Sequence, residues 1–173
     1  FIHGALCVCY SGQCLMSSMI GGRSGNRGRC AQPCRLPYEI IDKERGERKQ
    51  GYLLSPKDIC TISNINEIID NGVTSFKIEG RLKKPKYVAG VVASYRKVID
   101  EYIQNKRIVD SSKEETKLLQ LFNREGFSRG YFWGNTGRDM MAYNYPKNTG
   151  LLLGKAIDGK LVELYSDVHN GDG

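Results

Sequence analysis

Cys7, Cys9, Cys14, Cys30 and Cys34 fall in the first fifth of this 173-residue chain, Cys60 follows, and the remainder holds no cysteine. An extracellular domain stapled by disulfides usually spreads its cysteines, so this clustering points to metal or redox chemistry. Thiolates suit soft or borderline metals, and a 4Fe-4S cluster takes four ligands, usually cysteines, converging on one cube. The spacing is irregular: seven residues from Cys7 to Cys14, sixteen more to Cys30 and thirty more to Cys60. That is neither the compact ferredoxin run nor the paired C-x-x-C of a zinc ribbon. Spacing therefore leaves a metal site, a redox thiol and a small buried hydrophobe all open. Cys9, inside "VCY", reads as packing, and the lone His3 is by default a satisfied structural histidine.

A second reactive group lies in "SFKIEGR". Strand alternation puts Lys77 and Glu79 on one face, with Arg81 in the loop after Gly80. A cation there suits a carboxylate or an RNA phosphate, and Glu79 suits orientation of a cation or acid/base work; an internal salt bridge is the plain alternative. Arg23, Arg27, Arg29 and Arg35 with Lys83, Lys84 and Lys86 form a candidate cationic rim, and Tyr10 and Tyr38 are available for stacking. The net charge of +7 fits a polyanion such as RNA, but acidic metabolites or plain solubility explain it equally well. No RNA-recognition signature occurs, so any RNA contact here would read shape and phosphate. Proteolytic signatures are weak. Ser11 in "YSGQC" lacks the glycine flanks of a nucleophile elbow, and there is no H-E-x-x-H. With His3 and His169 the only histidines, a Cys/His dyad would use His3 with Cys7 or Cys14, the same thiols a cluster would consume.

These residues must be positioned by the elements around them. Residues 1 to 35 read as loop or short irregular elements, and "GGRSGNRGRC" resists helix. "LPYEIIDKERGERKQGYLLSP" reads as a hairpin. Ser55 as N-cap with Pro56 at the first helical position predicts a short helix through Cys60. A second helix is expected over 64–71, stopped by Gly72, followed by a strand in "VTSFKIEG". The apolar spacing of Val88, Val91, Val92, Tyr95, Val98, Ile99 and Tyr102 predicts a long helix. "EETKLLQLF" predicts a short one, then a glycine- and aromatic-rich loop region. Asp158-Gly159 predicts a hairpin turn in a β-rich module that starts near residue 148. The order is an α/β pattern.

With 40% hydrophobic residues the chain can bury a core, as one domain or a domain plus part of another. It starts at Phe1 without a methionine and stops on "HNGDG", so a fragment is expected. No apolar run approaches the ~20 residues of a membrane-spanning helix, and no charged leader precedes an apolar core. The expectation is a soluble, cytoplasmic protein without membrane association.

"HGALCVCYSGQCLMSSMIGGRSGNRGRCAQPCRLPY", with "YLLSPKDIC" and "GVTSFKIEGRLKKPKYVAGVVASYR", closely resembles peptidase family U32, the collagenase-like proteases. The resemblance continues through "FNREGFSRGYFWGNTGRDMM". It implies the C-terminal part of a (β/α)8 barrel-like domain with a Cys-rich insertion, whose N-terminal half is absent, in residues 1–110. A helix and linker would occupy 111–147, and the start of a small accessory β-domain 148–173. Family members include proteins first described as proteases, and proteins that make 5-hydroxyuridine in tRNA, or hydroxylated cytidine in ribosomal RNA, with prephenate required. Several carry a 4Fe-4S cluster.

The resemblance therefore implies an iron-sulfur-dependent RNA nucleoside hydroxylation enzyme, with a U32 peptidase as the alternative. It implies Cys7, Cys14, Cys30 and Cys60 as cluster ligands, with Cys34 as an alternative ligand and no role for Cys9. Glu79, Arg81, His3 and Lys77 are the candidate catalytic residues, and RNA and a small acid such as prephenate the candidate partners.

Overall fold

A computed structural model of the chain describes residues 1–134, 137–159, 161–165 and 167–168. Along the chain the elements are β1 (His3–Ala5), α1 (Met16–Gly21), β2 (Tyr38–Ile41), β3 (Arg48–Gly51), β4 (Asp58–Cys60), α2 (Ile65–Asp70), α3 (Pro85–Asn105), α4 (Ser112–Leu121), β5 (Phe127–Ser128), β6 (Gly154–Ala156) and β7 (Val162–Leu164). The architecture is mixed α/β with small sheets and, among the described residues, no closed barrel.

The central sheet has the order β1-β4-β5. β1 and β4 pair antiparallel with His3 opposite Cys60, and β4 and β5 pair parallel with Asp58 opposite Phe127. Helix α3 explains why this sheet is covered. It starts at Pro85, whose ring is preset for the first helical turn, and its apolar residues recur every three or four positions. Tyr87, Val91, Tyr95, Val98, Ile99 and Tyr102 form the buried stripe, while Val88 and Val92 sit on its shoulder at 38% and 41% exposure. All of the stripe but Tyr102 packs with Ile2, Cys60, Ile62, Ile65, Ile68 and Leu118 into one core. Gly90 lets α4 approach, since a Cβ there would stand 2.5 Å from Leu121 Cδ1. Glu114 then locks the two helices, accepting from Ser94 Oγ at 2.9 Å and from Lys97 and Lys117 Nζ at 2.8 Å each.

Several sequence expectations hold. The first 35 residues are mostly irregular, although they include β1 and the six-residue α1, and "GGRSGNRGRC" forms only a single 3-10 turn over Gly25–Arg27. The hairpin after Leu36 is β2 and β3, paired from Tyr38 opposite Gly51 to Ile41 opposite Arg48. The helices expected near 64–71, over the apolar-spaced stretch that includes Val88 to Tyr102 and over the "EETKLLQLF" segment are α2, α3 (Pro85–Asn105) and α4. The hairpin around Asp158-Gly159 is β6 and β7.

Two expectations need correction. Ser55-Pro56 does not start a helix: residues 58–60 are strand β4, all three buried. The local cap signal loses to pairing on both strand edges and to the antiparallel run beside residues 140–143. There the Lys57 N–H donates to Met140 O and the Ala142 N–H to Ser55 O, both at 2.7 Å. The strand expected in "VTSFKIEG" shrinks to one parallel bridge between His3 and Ile78. Its hydrogen bonds run from Ile2 N to Lys77 O at 2.9 Å and from Glu79 N to His3 O at 2.8 Å. β1 has only three residues to offer, so the ladder ends there.

The Tyr95 hydroxyl ties α3 to this sheet, donating to Ile2 O at 2.9 Å and accepting from Thr61 N at 3.0 Å. Tyr95→Phe removes both bonds, while the Thr61 N–H and Oγ1 still donate to the Ile2 carbonyl at 3.1 Å each. It is expected to cost about 0.5–1.5 kcal/mol, read as a lower urea midpoint at unchanged slope.

Candidate functional site

Four of the six thiols share one neighbourhood. Cys34 is half-buried, and burial pushes its thiol up; Arg35 pulls it down, and Cys7, Cys30 and Cys14 push it up again by like charge. The loop geometry that gathers them is glycine-dependent. Gly25 sits against Cys30, where a Cβ would lie 3.6 Å from the Cys30 Cβ and 3.8 Å from the Cys14 carbonyl oxygen. Gly28 takes a φ of +71°, and the Arg81 guanidinium lies over it, 2.9 Å from where a Cβ would stand. Cys30 Sγ accepts the Gln32 N–H at 3.2 Å, and Ser17 Oγ accepts the Ala31 N–H at 2.9 Å. All six cysteines are free thiols. Among the described residues, no three His, Cys, Asp or Glu side chains already stand in metal-holding geometry. The donor type fits a soft metal; a closed ligand cage is not preformed.

Cys60 is also expected among the ligands. It lies on β4 in the core, 5% exposed, with Sγ 3.7 Å from the Tyr95 hydroxyl, and burial pushes its thiol up to about 11. Cys34, the alternative, is the thiol that neighbours Cys7, Cys14 and Cys30.

Beside the thiol loop lies a buried polar cluster. Asp58 and Arg124, from β4 and the turn before β5, form an ion pair with the carboxylate fully buried. Arg124 Nε also donates to Pro146 O at 2.8 Å. Arg35, next in sequence to Cys34, donates to Ser55 Oγ at 2.8 Å, to Leu6 O at 2.9 Å and to Pro56 O. Burial, then Arg124, draws its pKa down to about 10. Lys83, its ammonium over the Tyr87 and Phe122 rings, is drawn down to about 8. Burial is the main cause, Asp58 opposes it, and Arg124 and Arg35 add to it.

His3 completes the cluster. Its ring lies 5.6 Å from Tyr95, 5.4 Å from Phe127 and 6.1 Å from Tyr87, centroid to centroid. Nδ1 is 3.5 Å from the Tyr95 hydroxyl. Burial, with Lys83 second, pushes the imidazole down to about 4, so it is neutral at pH 7. Gly4, with a φ of +114°, is needed for this placement because a Cβ there would run into the Glu79 carbonyl. His3 Nε2, Asp58 Oδ2 and the Tyr87 hydroxyl are buried without a hydrogen-bond partner among the described residues.

Lys77 and Glu79 do share a face, 4.0 Å apart as an ion pair, and Glu79 Oε1 also accepts the Arg81 N–H at 3.4 Å. Lys77 is exposed and Glu79 partly so, while Ile78 between them turns toward the core. The candidate rim divides. Arg23, Arg27, Arg29, Lys84 and Lys86 are exposed, whereas Arg35 and Lys83 turn into the buried cluster. Tyr10 is 82% exposed, but the Tyr38 hydroxyl donates to Pro33 O at 2.9 Å as a loop brace. His169 lies outside the described residues. Sequence reading gave no role to Asp58, Tyr87 or Arg124. Asp58 in "SPKDIC" carried the one available signal, a charged residue next to an apolar, cysteine-bearing run.

The family model for peptidase family U32 matches residues 1–142. The chain is 41% identical, over its whole length, to 28% of the 23S rRNA 5-hydroxycytidine C2501 synthase of Escherichia coli. It is 36% identical to the tRNA hydroxylation protein P1 of Bacillus subtilis, covering 95% of this chain and 42% of that protein. It is also 36% identical to a collagenase of Porphyromonas gingivalis, covering 96% of this chain and 40% of that protein. The chain thus spans well under half the length of these curated relatives. No solved structure matches it.

A histidine kept neutral in the fold makes stability depend on pH. Its folded value, about 4, lies below the ordinary 6.5, so between these values the unfolded chain binds the extra proton. The stability it contributes is present above pH 6.5 and lost as pH falls toward 4, at most about 3 kcal/mol. His3→Gln is expected to flatten that part of the curve, measured by urea unfolding at a series of pH values.

Proposed function

This chain belongs to peptidase family U32, and we propose that the protein it is part of hydroxylates a nucleoside base in RNA, of the tRNA 5-hydroxyuridine type, with prephenate as co-substrate. The observation that carries the reading is the company His3 keeps. A cysteine peptidase needs an accessible imidazole hydrogen-bonded to a thiol. His3 is fully buried, its Nδ1 faces a tyrosine, and it is held neutral far below its usual range. The thiols instead gather with one another. Likeness to rRNA and tRNA hydroxylation proteins supports the same reading. Peptide-bond hydrolysis is the second reading, favoured by the likeness to a collagenase.

In this proposal Cys7, Cys14 and Cys30 hold a 4Fe-4S cluster, with Cys34 rather than Cys60 as fourth ligand, because Cys60 is committed to the core beside Tyr95. Such a cluster supplies electron transfer or an open iron position for a substrate oxygen. The chain's own residues bind and orient. Arg23, Arg27, Arg29, Lys84 and Lys86 meet RNA phosphates, and Arg81 bridges that surface to the strip that carries Lys77 and Glu79. Residues 1–110 form the C-terminal part of a (β/α)8 barrel-like domain completed elsewhere in the protein. Residues 111–147 link it to an accessory β-domain that starts near 148. The protein works in the cytoplasm.

Anaerobic purification of the whole protein should give about four irons and matching sulfide per chain. Cys7→Ala, Cys14→Ala, Cys30→Ala and Cys34→Ala should each lose the iron, while Cys9→Ala and Cys60→Ala keep it. Mass spectrometry of cellular RNA should show a one-oxygen mass gain on a pyrimidine that disappears in the iron-free variants. Iron-independent gelatin cleavage, with no RNA mark, would reverse the ranking of the two readings.

A further inference from the structure

We propose that the exposed aromatic turn after β5, formed by Tyr131, Phe132 and Trp133, is a stacking platform for unpaired RNA bases. This role rests on the RNA-hydroxylation reading for the choice of occupant, and deepens it by giving the bases of the RNA a place. The segment 129–139 reads "RGYFWGNTGRD": three successive aromatic residues, two arginines, one acid and no aliphatic side chain. In the folded chain Tyr131 is 70% exposed, Phe132 46% and Trp133 49%. Apolar rings left in water cost free energy, so three in a row call for a partner.

The base of the turn is fixed to the central sheet. Gly130 is buried at a φ of +61°, where a Cβ would stand 3.0 Å from Ile59 Cδ1 on β4. Its N–H donates to Oγ of the buried Ser128 at 3.0 Å, and the Gly134 N–H closes the turn on Tyr131 O at 3.3 Å. The rings are ordered against one another as well. Phe132 and Trp133 lie 5.6 Å apart, centroid to centroid, tilted by 38°, and the Arg129 guanidinium is 5.9 Å from the Trp133 ring. Rings held in place before the ligand arrives lose little freedom on binding it.

The surroundings of the rings select a nucleobase over a protein partner. A protein hot spot needs an apolar surround that keeps water out. Here the flanking residues are Arg129, Gly134, Arg138 and Asp139, all exposed. A base needs only a flat π face, and its phosphate a cation, which is what this turn offers. The two arginines and the net charge of +7 complement the phosphates between stacked bases. Arg23, Arg27, Arg29, Lys84 and Lys86, exposed elsewhere on the chain, can neutralise a backbone but cannot stack a base as a ring does. Stacking is tolerant of sequence, so the platform holds single strands without a base code.

The test is fluorescence anisotropy of the whole protein with a labelled single-stranded RNA of about twelve nucleotides, beside an abasic oligomer of equal length that keeps every phosphate. Wild type should bind the RNA at least about tenfold more tightly than the abasic oligomer. Trp133→Leu should weaken RNA binding about five- to a hundredfold, leaving the abasic oligomer and the salt dependence unchanged. Tyr131→Ala, at the most exposed ring, should weaken it at least about fivefold and decides the matter if the tryptophan variant does not fold. RNA that binds no better than the abasic oligomer, or ring variants that bind RNA as well as wild type, overturns the platform. A changed sedimentation mass in those variants at unchanged RNA affinity assigns the turn to a protein contact instead. RNA hydroxylation measured alongside separates the two claims. Ring-dependent binding without any RNA mark supports the platform and sinks the activity; an RNA mark with ring-independent binding overturns the platform alone.

Discussion

Asp58 is fully buried on the middle strand of the central sheet, and an ionised carboxylate there is tolerable only with a partner. Arg124 is that partner, and the requirement organises what surrounds it. To reach β4, Arg124 must come from the turn that leads into β5, so the ion pair and the parallel β4–β5 pairing fix each other. The same guanidinium holds the Pro146 carbonyl and so draws in the segment after residue 140. Removing either partner would strand a charge in the core, a loss of about 3–5 kcal/mol.

Helix α3 serves packing and chemistry with one face. Its stripe buries Val91, Val98 and Ile99 in the core, and the same face delivers the Tyr87 and Tyr95 hydroxyls to the end of β1. Tyr95 is fully engaged with backbone and stiffens the sheet. Tyr87, two turns nearer the N-terminus, is buried with its hydroxyl unmet. Two tyrosines on one helix therefore do different work because one faces backbone and the other faces the polar cluster.

The thiol loop and the polar cluster meet at residues 34 and 35. Cys34 belongs to the group of thiols, and Arg35 reaches inward to Leu6, Ser55 and Pro56. This junction gives a physical route by which charge at the thiols is felt in the cluster: Arg35 lowers the Cys34 thiol, and Cys34 and Cys7 raise the Arg35 guanidinium. The Arg81 contact at Gly28 adds a second tie between the loop and the strip after Ile78.

Local and periodic features were legible in the sequence because they arise from neighbours along the chain. The apolar spacing of α3, the glycine stop after α2, the turns of the β2–β3 and β6–β7 hairpins and the family motif around the cysteines are of this kind. Pairing across the chain was not legible. Ser55-Pro56 carries a sound helix-start signal, yet β4 forms because β1 and β5 supply hydrogen bonds on both edges, a nonlocal gain that outweighs a cap. Nothing near Lys83 or Arg35 in sequence says that they turn inward while Lys84 and Arg29 stay in solvent. The sequence by itself determined which residues could do chemistry, since that follows from side-chain type. Only the tertiary structure decided that Cys34 feels the charge of Cys7, Cys14 and Cys30, that Cys60 is buried beside Tyr95, and that Asp58, Tyr87 and His3 are buried with unmet polar atoms, because burial and hydrogen bonding between distant segments exist only once they pack together.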